Sequence, residues 1–146
     1  MKKSGAIHEA IAAYEEAIRL DPHHADAHYD LGNTFLGLGQ AQVAVEHYQA
    51  ALRIDPLYAN AHVNLGNVYR AGGMPDQAIK EYRLALAIKA DFADARYNLG
   101  VTLASRGRLD EAIAEFRRVV RIDPNHQPAR QSLQMALEQQ RSSPGN

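Results

Sequence analysis

The sequence predicts an all-α protein built from repeated pairs of helices. A Leu-Gly pair recurs at positions 31, 65 and 99, a constant step of 34 residues. Apolar residues recur three and four positions apart, as on one face of a helix, and no segment alternates as a strand does. Asp-Pro pairs at 21–22, 55–56 and 123–124 end helices, because proline lacks the amide hydrogen and disfavours helix at the residue before it. A fixed interval of this length indicates a repeated structural unit.

The elements follow one another in a regular order. The first helix matches the second helix of a pair, and its own partner is absent. Three full pairs follow, and a final amphipathic segment is expected to cap them. We therefore predict a half repeat at 5–21, full repeats at 25–58, 59–92 and 93–126, a capping helix at 127–141 and a disordered tail at 142–146.

Composition limits the classes of partner and compartment. Sixteen basic and seventeen acidic residues leave a net charge of -1, so the overall balance attracts neither nucleic acid nor an anionic membrane, and we expect neither as a partner. There is no cysteine, which excludes disulfides and thiolate chemistry. Glu9, Glu15 and Glu16 interrupt the start of the chain, so we predict no signal peptide and expect a cytoplasmic protein.

Three further series recur at the same step. The position four residues after Leu31, Leu65 and Leu99 holds a large residue in each copy. A small residue and then an aromatic one mark every second helix. The members are Phe35, Tyr69 and Leu103; Ala10, Ala44, Ala78 and Ala112; and Tyr14, Tyr48, Tyr82 and Phe116.

With these positions the chain resembles the tetratricopeptide repeat family over roughly residues 5–140. The resemblance implies a right-handed superhelical α-solenoid of antiparallel helix pairs, with a concave wall lined by the first helix of each pair. It also implies a non-catalytic protein-protein interaction module that binds an extended or helical peptide there. We expect the chain to be a fragment of a longer repeat protein.

Three residues depart from the family pattern. Ala90 replaces the closing proline, so we expect a more continuous or flexible junction there. Val119 is larger than the usual alanine, which predicts a local packing adjustment. Gln134 replaces the glycine of the Leu-Gly pair, which suits a terminal helix with no further repeat stacked on it.

The candidate binding residues are the groove-facing positions of the first helices. Several of these positions hold asparagine. An asparagine side-chain amide offers a donor and an acceptor together, so it could bind the backbone of a peptide without recognising the peptide's side chains. Alternatively, these asparagines could only hydrogen-bond neighbouring helices. Tyrosines at two positions could add apolar contact or simply cover a neighbour. The predicted set is Tyr29, Asp30, Asn33, Asn60, Val63, Asn64, Asn67, Arg70, Asp94, Tyr97 and Asn98.

The groove chemistry favours one class of peptide. A subfamily that captures chaperone tails uses cationic residues, where this chain has Tyr29, Asp94 and Asn98. A carboxylate would instead meet acidic side chains, so we do not expect that ligand. The acidic rim, with Arg70 and Arg96 nearby, suits a neutral or mildly basic peptide. The asparagine run is similar to the repeat region of O-GlcNAc transferase.

The unpartnered first helix suggests an alternative function. Its apolar face carries Ile7, Ile11, Tyr14 and Ile18, and exposed apolar faces usually find a partner. The alternative is a structural scaffold that self-assembles as a homo-oligomer through this incomplete repeat.

Nothing in the pattern predicts catalysis. His28 and His62 lie one repeat apart, but Arg96 continues their series, and arginine is not a metal ligand, so packing is the favoured interpretation. No nucleophile triad, phosphate loop or zinc spacing occurs. We therefore predict no enzyme activity, no metal and no cofactor.

Overall fold

The computed structural model describes residues 2–143 and confirms the all-α class. No strand occurs in this range, and none of its helices combines the length and apolar character needed to cross a bilayer. The helices are α1 (Lys2–Leu20), α2 (Ala25–Gly37), α3 (Ala41–Ile54), α4 (Ala59–Ala71), α5 (Pro75–Ile88), α6 (Ala93–Ser105), α7 (Leu109–Ile122) and α8 (Gln127–Ser142).

The helices stack as antiparallel pairs in a right-handed superhelix. We call α2, α4, α6 and α8 the first helices, and α1, α3, α5 and α7 the second helices. The pairs α2 with α3, α4 with α5, and α6 with α7 pack most extensively. Successive first helices also contact each other, α4 with α6 and α6 with α8, so they form the inner, concave face.

The turns within the pairs share one geometry. Gly39 has a φ of 76°, and Gly73 and Gly107 have a φ of 75°, a left-handed conformation that costs glycine little. The residue after each glycine donates its backbone N–H to a carbonyl of the preceding helix, as Met74 does to Tyr69 at 2.8 Å. This cap satisfies carbonyls that the helix end leaves free.

The junctions between pairs are also uniform, including the one without proline. At Asp55, φ and ψ are -130° and 93°, and at Lys89 they are -133° and 90°. The backbone at Ala90 is therefore no more continuous than at the other junctions, and α5 still ends at Ile88. In the Asp-Pro junctions the aspartate also accepts a local hydrogen bond, such as the one from Leu57 N to Asp55 Oδ1 at 3.0 Å.

The core of each pair depends on a glycine facing an aromatic ring. A Cβ added at Gly66 would lie 2.7 Å from Cε1 of Tyr82. The other two pairs, Gly32 with Tyr48 and Gly100 with Phe116, give 2.6 Å. Because the rings are at most 2 % exposed, only glycine leaves room for them. Val119 is fully buried, and α7, the helix that contains it, begins and ends at the positions equivalent to those of α3 and α5.

The two ends of the array differ from its middle. Ile11 and Tyr14 of α1 are half-buried, whereas their counterparts in α3, Val45 and Tyr48, are buried, because within residues 2–143 α1 packs against α2 but has no first helix of its own pair. Ile7 and Ile18 are half-buried as well.

The expected bounds at both ends need correction. Helix α1 begins at Lys2, before the predicted residue 5. Helix α8 continues through Ser142, which we had assigned to the disordered tail, because the residues from Glu138 to Arg141 are all favourable helix formers. The rest of that predicted tail, 144–146, lies outside the described residues.

We expect Gly66→Ala to destabilise the array and Gly5→Ala to stabilise it. Overpacking against Tyr82 costs about 1–3 kcal/mol, which outweighs a helix-propensity gain of up to about 1 kcal/mol. Gly5 lies within α1, and no atom lies within 4 Å of a Cβ added there. Alanine at this position therefore gains helix propensity without any overpacking cost. Urea unfolding of both variants measures the difference; shifts of the same sign would contradict the role assigned to the ring contact.

Candidate functional site

A hydrogen-bonded unit of tyrosine and asparagine links the first two full repeats at the concave face. The buried Tyr48 hydroxyl of α3 donates to Asn33 Oδ1 of α2 at 2.8 Å. Asn64 Nδ2 of α4 donates to the same oxygen at 2.8 Å, and to the Tyr29 hydroxyl at 3.1 Å. Each side chain therefore orients the next across the repeat boundary.

The same unit recurs one repeat later. The Tyr82 hydroxyl donates to Asn67 Oδ1 at 2.6 Å, and Asn98 Nδ2 donates to that oxygen at 3.1 Å. The predicted residues Asn33, Asn64, Asn67 and Asn98 thus come together in two units. The alternative that they bond neighbouring helices is correct for these atoms.

The third repeat replaces the unit with apolar residues. Val101 stands where the asparagine would be, and Phe116 stands where the tyrosine would be. The two positions lie 15 residues apart, and they hold asparagine with tyrosine in the first two full repeats and valine with phenylalanine in the third. This joint change is a sequence signal for the contact that our sequence analysis missed. Between α6 and α8 the Tyr97 hydroxyl and Ser132 Oγ lie 3.4 Å apart, a longer contact than those within the two units.

Burial keeps the tyrosine hydroxyls protonated. It raises the pKa of Tyr48 to about 12. It also raises the pKa of Tyr82, an effect that the nearby Arg70 guanidinium partly offsets. Both groups are therefore hydrogen-bond donors at neutral pH, and a donor fixes the facing asparagine with its oxygen inward.

The bonded atoms determine what the amides offer to a ligand. The oxygens of Asn33 and Asn67 are occupied, which leaves their Nδ2 groups as donors. Asn64 and Asn98 donate within the protein, which leaves their Oδ1 atoms as acceptors. Each unit therefore offers a donor from one repeat and an acceptor from the next, so donors and acceptors alternate along the concave face.

Aromatic side chains flank the first unit. Tyr29 stacks on Tyr58 with ring centroids 4.9 Å apart. Tyr58 was not predicted as a site residue, because it lies in the junction before α4 rather than on a first helix. Tyr97 packs against Phe116 at 5.9 Å and His126 at 5.1 Å. Both predicted tyrosines are half-buried, so they cover a neighbour and also present an edge to solvent.

The first full repeat contributes negative charge to this face. Asp26 accepts a hydrogen bond from the Tyr58 hydroxyl at 2.7 Å, and together with burial this contact raises the pKa of Tyr58. Burial, then the charge of Asp26, raises the pKa of Asp30. Asp94 is largely exposed, with His126 Nε2 at 3.6 Å.

Two predictions about the groove are wrong. Val63 is only 6 % exposed and belongs to the core shared by α4, α5 and α6, so it cannot contact a peptide. Arg96 was expected near the acidic rim, but its guanidinium pairs with Glu115 of α7 at 2.7 Å. Asn60 and Arg70 are exposed on α4, as a contact role would require.

The histidines do not assemble a metal site. Across residues 2–143 no three His, Cys, Asp or Glu side chains are grouped so that they could hold a metal ion. His62 Nδ1 instead lies 2.7 Å from Glu81 Oε2. His24 and His126 cap α2 and α8, because their Nδ1 atoms accept the backbone N–H groups of Ala27 and Ala129.

Comparison with protein families agrees with this architecture. The profile of the family described as Tetratricopeptide repeat matches residues 3–59, 29–91 and 63–127. The chain belongs to the tetratricopeptide repeat family. Repeats of this family are typically non-catalytic protein-interaction modules. Among curated proteins, none matches the sequence.

Solved structures of other tetratricopeptide repeat proteins superpose closely on this one. The chain is similar to the crystal structure of MamA, with 29% identity, a TM-score of 0.86, and coverage of 95% of this chain and 81% of that one. It is similar to YrrB, described as a TPR protein with an unusual peptide-binding site, with 26% identity, a TM-score of 0.81, and coverage of 97% and 73%. The first TPR of Spaghetti (RPAP3), bound to an HSP90 peptide, shares the fold at 22% identity, a TM-score of 0.78, and coverage of 81% and 94%.

We expect Tyr82→Phe to cost about 1–2 kcal/mol, because Asn67 Oδ1 loses its hydroxyl donor. Adding Asn67→Val should recover part of this loss, since the double variant reproduces the Val101 and Phe116 pair of the third repeat. A double-mutant cycle in urea unfolding measures the coupling. Strictly additive effects would show that the hydroxyl and the amide do not act as a unit.

Proposed function

We propose that this tetratricopeptide repeat protein binds an extended peptide segment on its concave face. The observation that carries the proposal is the pair of Tyr-Asn-Asn units, which hold each of four amides in a fixed orientation. Fixed amides need no reordering when a ligand binds, so less free energy is lost on association.

The alternation of donors and acceptors suits a peptide backbone. An extended chain presents both an N–H and a C=O group on each edge. The acceptors Asn64 Oδ1 and Asn98 Oδ1 can receive N–H groups, and the Nδ2 donors of Asn33 and Asn67 can bind carbonyls. Recognition of this kind reads the backbone and tolerates many side chains.

The structural relatives support an interaction role of this kind. YrrB carries a peptide-binding site on the same fold at 26% identity. The concave face of this chain differs from a carboxylate receptor by its charges, since Asp26, Asp30 and Asp94 are acidic. We therefore propose that the peptide is neutral or mildly basic, because like charge would repel an acidic one.

A second candidate function is self-assembly through α1. The half-buried Ile11 and Tyr14 favour it, since equivalent residues in the full repeats are buried. Simple head-to-tail stacking is disfavoured, however. A second copy's α1 would set Tyr14 against Gln134, where the middle repeats require glycine. A homo-oligomer would therefore use α1 in another arrangement.

We expect the double variant N64S/N98S to bind peptide roughly tenfold or more weakly than the parent, because two backbone hydrogen bonds are lost. Serine is chosen because Ser132 occupies the same repeat position in α8. The probe is a peptide selected on the parent protein from a randomised display library, with affinity measured by calorimetry.

The matched control is Asn125→Ser, an exposed asparagine in the junction before α8. It should leave both affinity and helicity unchanged. Equal affinity of the parent and N64S/N98S, or failure to select any peptide, would rule out the amide mechanism.

For the second candidate, we expect sedimentation to show a mass that rises with protein concentration. Ile11→Glu should abolish the rise, because a charge would be placed on the half-buried face of α1. Ala12→Glu, on the exposed side of the same helix, serves as the control. A single monomer mass up to millimolar concentration would exclude self-assembly.

A further inference from the structure

A polar pair joins the two helices of every full repeat on the side away from the amide units. In the second full repeat, His62 Nδ1 of α4 lies 2.7 Å from Glu81 Oε2 of α5. In the third, Arg96 Nη1 of α6 donates to Glu115 Oε2 of α7 at 2.7 Å. In each pair the two residues are 19 positions apart in sequence. A carboxylate faces a histidine in one pair and an arginine in the other.

The first full repeat has two histidines at these positions. His28 Nδ1 of α2 and His47 Nδ1 of α3 lie 3.3 Å apart, with ring centroids at 5.5 Å. Phe35 stacks on His47 with its plane 4° from parallel. A hydrogen bond between two Nδ1 atoms requires one of them to carry a proton and the other to be free. Two protonated rings would lose the bond and repel each other.

The surroundings of the pair oppose protonation of both His28 and His47. Burial is the main cause that lowers the pKa of His28, followed by His47, Arg53 and His24. Burial also lowers the pKa of His47, against the opposing charges of Glu46 and Glu15. No carboxylate in residues 2–143 pairs with either ring as Glu81 does with His62.

We propose that the His28 and His47 pair makes the first full repeat, residues 25–58, an acid-sensitive segment that opens before the rest of the array. The second full repeat, 59–92, is expected to lack this response because its pair contains the Glu81 carboxylate, which attracts a positive charge where a second histidine would repel it. The acid response of the first full repeat therefore depends on one pair of side chains.

The direction of the effect follows from proton linkage. Both histidines have a folded-state pKa below their ordinary value, so the opened segment binds more protons than the folded one. The stability of this repeat is therefore complete above the ordinary histidine value of about 6.5 and is lost as pH falls below it. Each proton taken up on opening raises the opening constant by up to about tenfold per pH unit.

The consequence for binding rests on the proposed function. Helices α2 and α3 carry Asn33 and Tyr48, so acid opening would leave only Asn64 of the first amide unit in place while the second unit remained intact. A peptide held by both units would then dissociate more readily at low pH.

The test is native-state hydrogen exchange at about pH 7.5 and pH 5.5, corrected for intrinsic exchange. His24 caps α2 through its imidazole ring, so the parent for this series carries His24→Asn, since asparagine caps a helix and has no ionisable side chain. Opening of α2 and α3 should increase on the order of tenfold at the lower pH relative to α4 and α5.

Two substitutions exchange the pairs between repeats. His47→Glu gives the first repeat the His-Glu pair of the second and should remove most of the acid response. Glu81→His gives the second repeat a His-His pair and should create the response in α4 and α5. The readout is the ratio of opening constants at the two pH values, so a uniform loss of stability does not affect it. An unchanged ratio in His47→Glu, or no new response in Glu81→His, would overturn the proposal.

Discussion

The contact on which the rest of the structure depends is that of a glycine with an aromatic ring inside each helix pair. The rings of Tyr48, Tyr82 and Phe116 lie where a Cβ on Gly32, Gly66 or Gly100 would be. The two helices can pack this closely only where one of them has a glycine facing the ring of the other. The contact therefore sets their separation and register. Repetition of one contact at one interval then produces a superhelix.

The amide units on the concave face are a consequence of this packing. A tyrosine ring buried against glycine in its own repeat has its hydroxyl directed towards the first helices, where Asn33 or Asn67 accepts it. The asparagine of the next repeat completes the unit across the boundary. Core packing and the orientation of the candidate binding groups are therefore coupled, and the Phe116 repeat shows that the core can exist without the polar extension.

The side-chain pairs that join the two helices of each repeat show that repeats with the same backbone can differ in chemistry. These pairs are His28 with His47, His62 with Glu81, and Arg96 with Glu115. The same two positions hold His and His, His and Glu, or Arg and Glu, while the helix ends and turns scarcely change. In a solenoid each repeat contacts only its neighbours, so a local pair affects chiefly local stability. One repeat can therefore respond to pH while its neighbours do not.

The sequence by itself determined the fold class, the number of helices in the repeats and their approximate ends, because periodicity, glycine and proline act locally and recur at a fixed step. It also placed the four asparagines on the inner face. Only the tertiary structure decided which atoms of those amides remain free, that Val63 is buried, and that Tyr58 joins the site. These features arise where side chains from successive repeats meet, and a helical period cannot specify the orientation of an amide or the depth of a side chain between two helices. The glycine and aromatic pairs needed both the sequence and the tertiary structure. Their spacing is visible in the sequence, but only the distance between Gly66 and the Tyr82 ring shows why glycine is required.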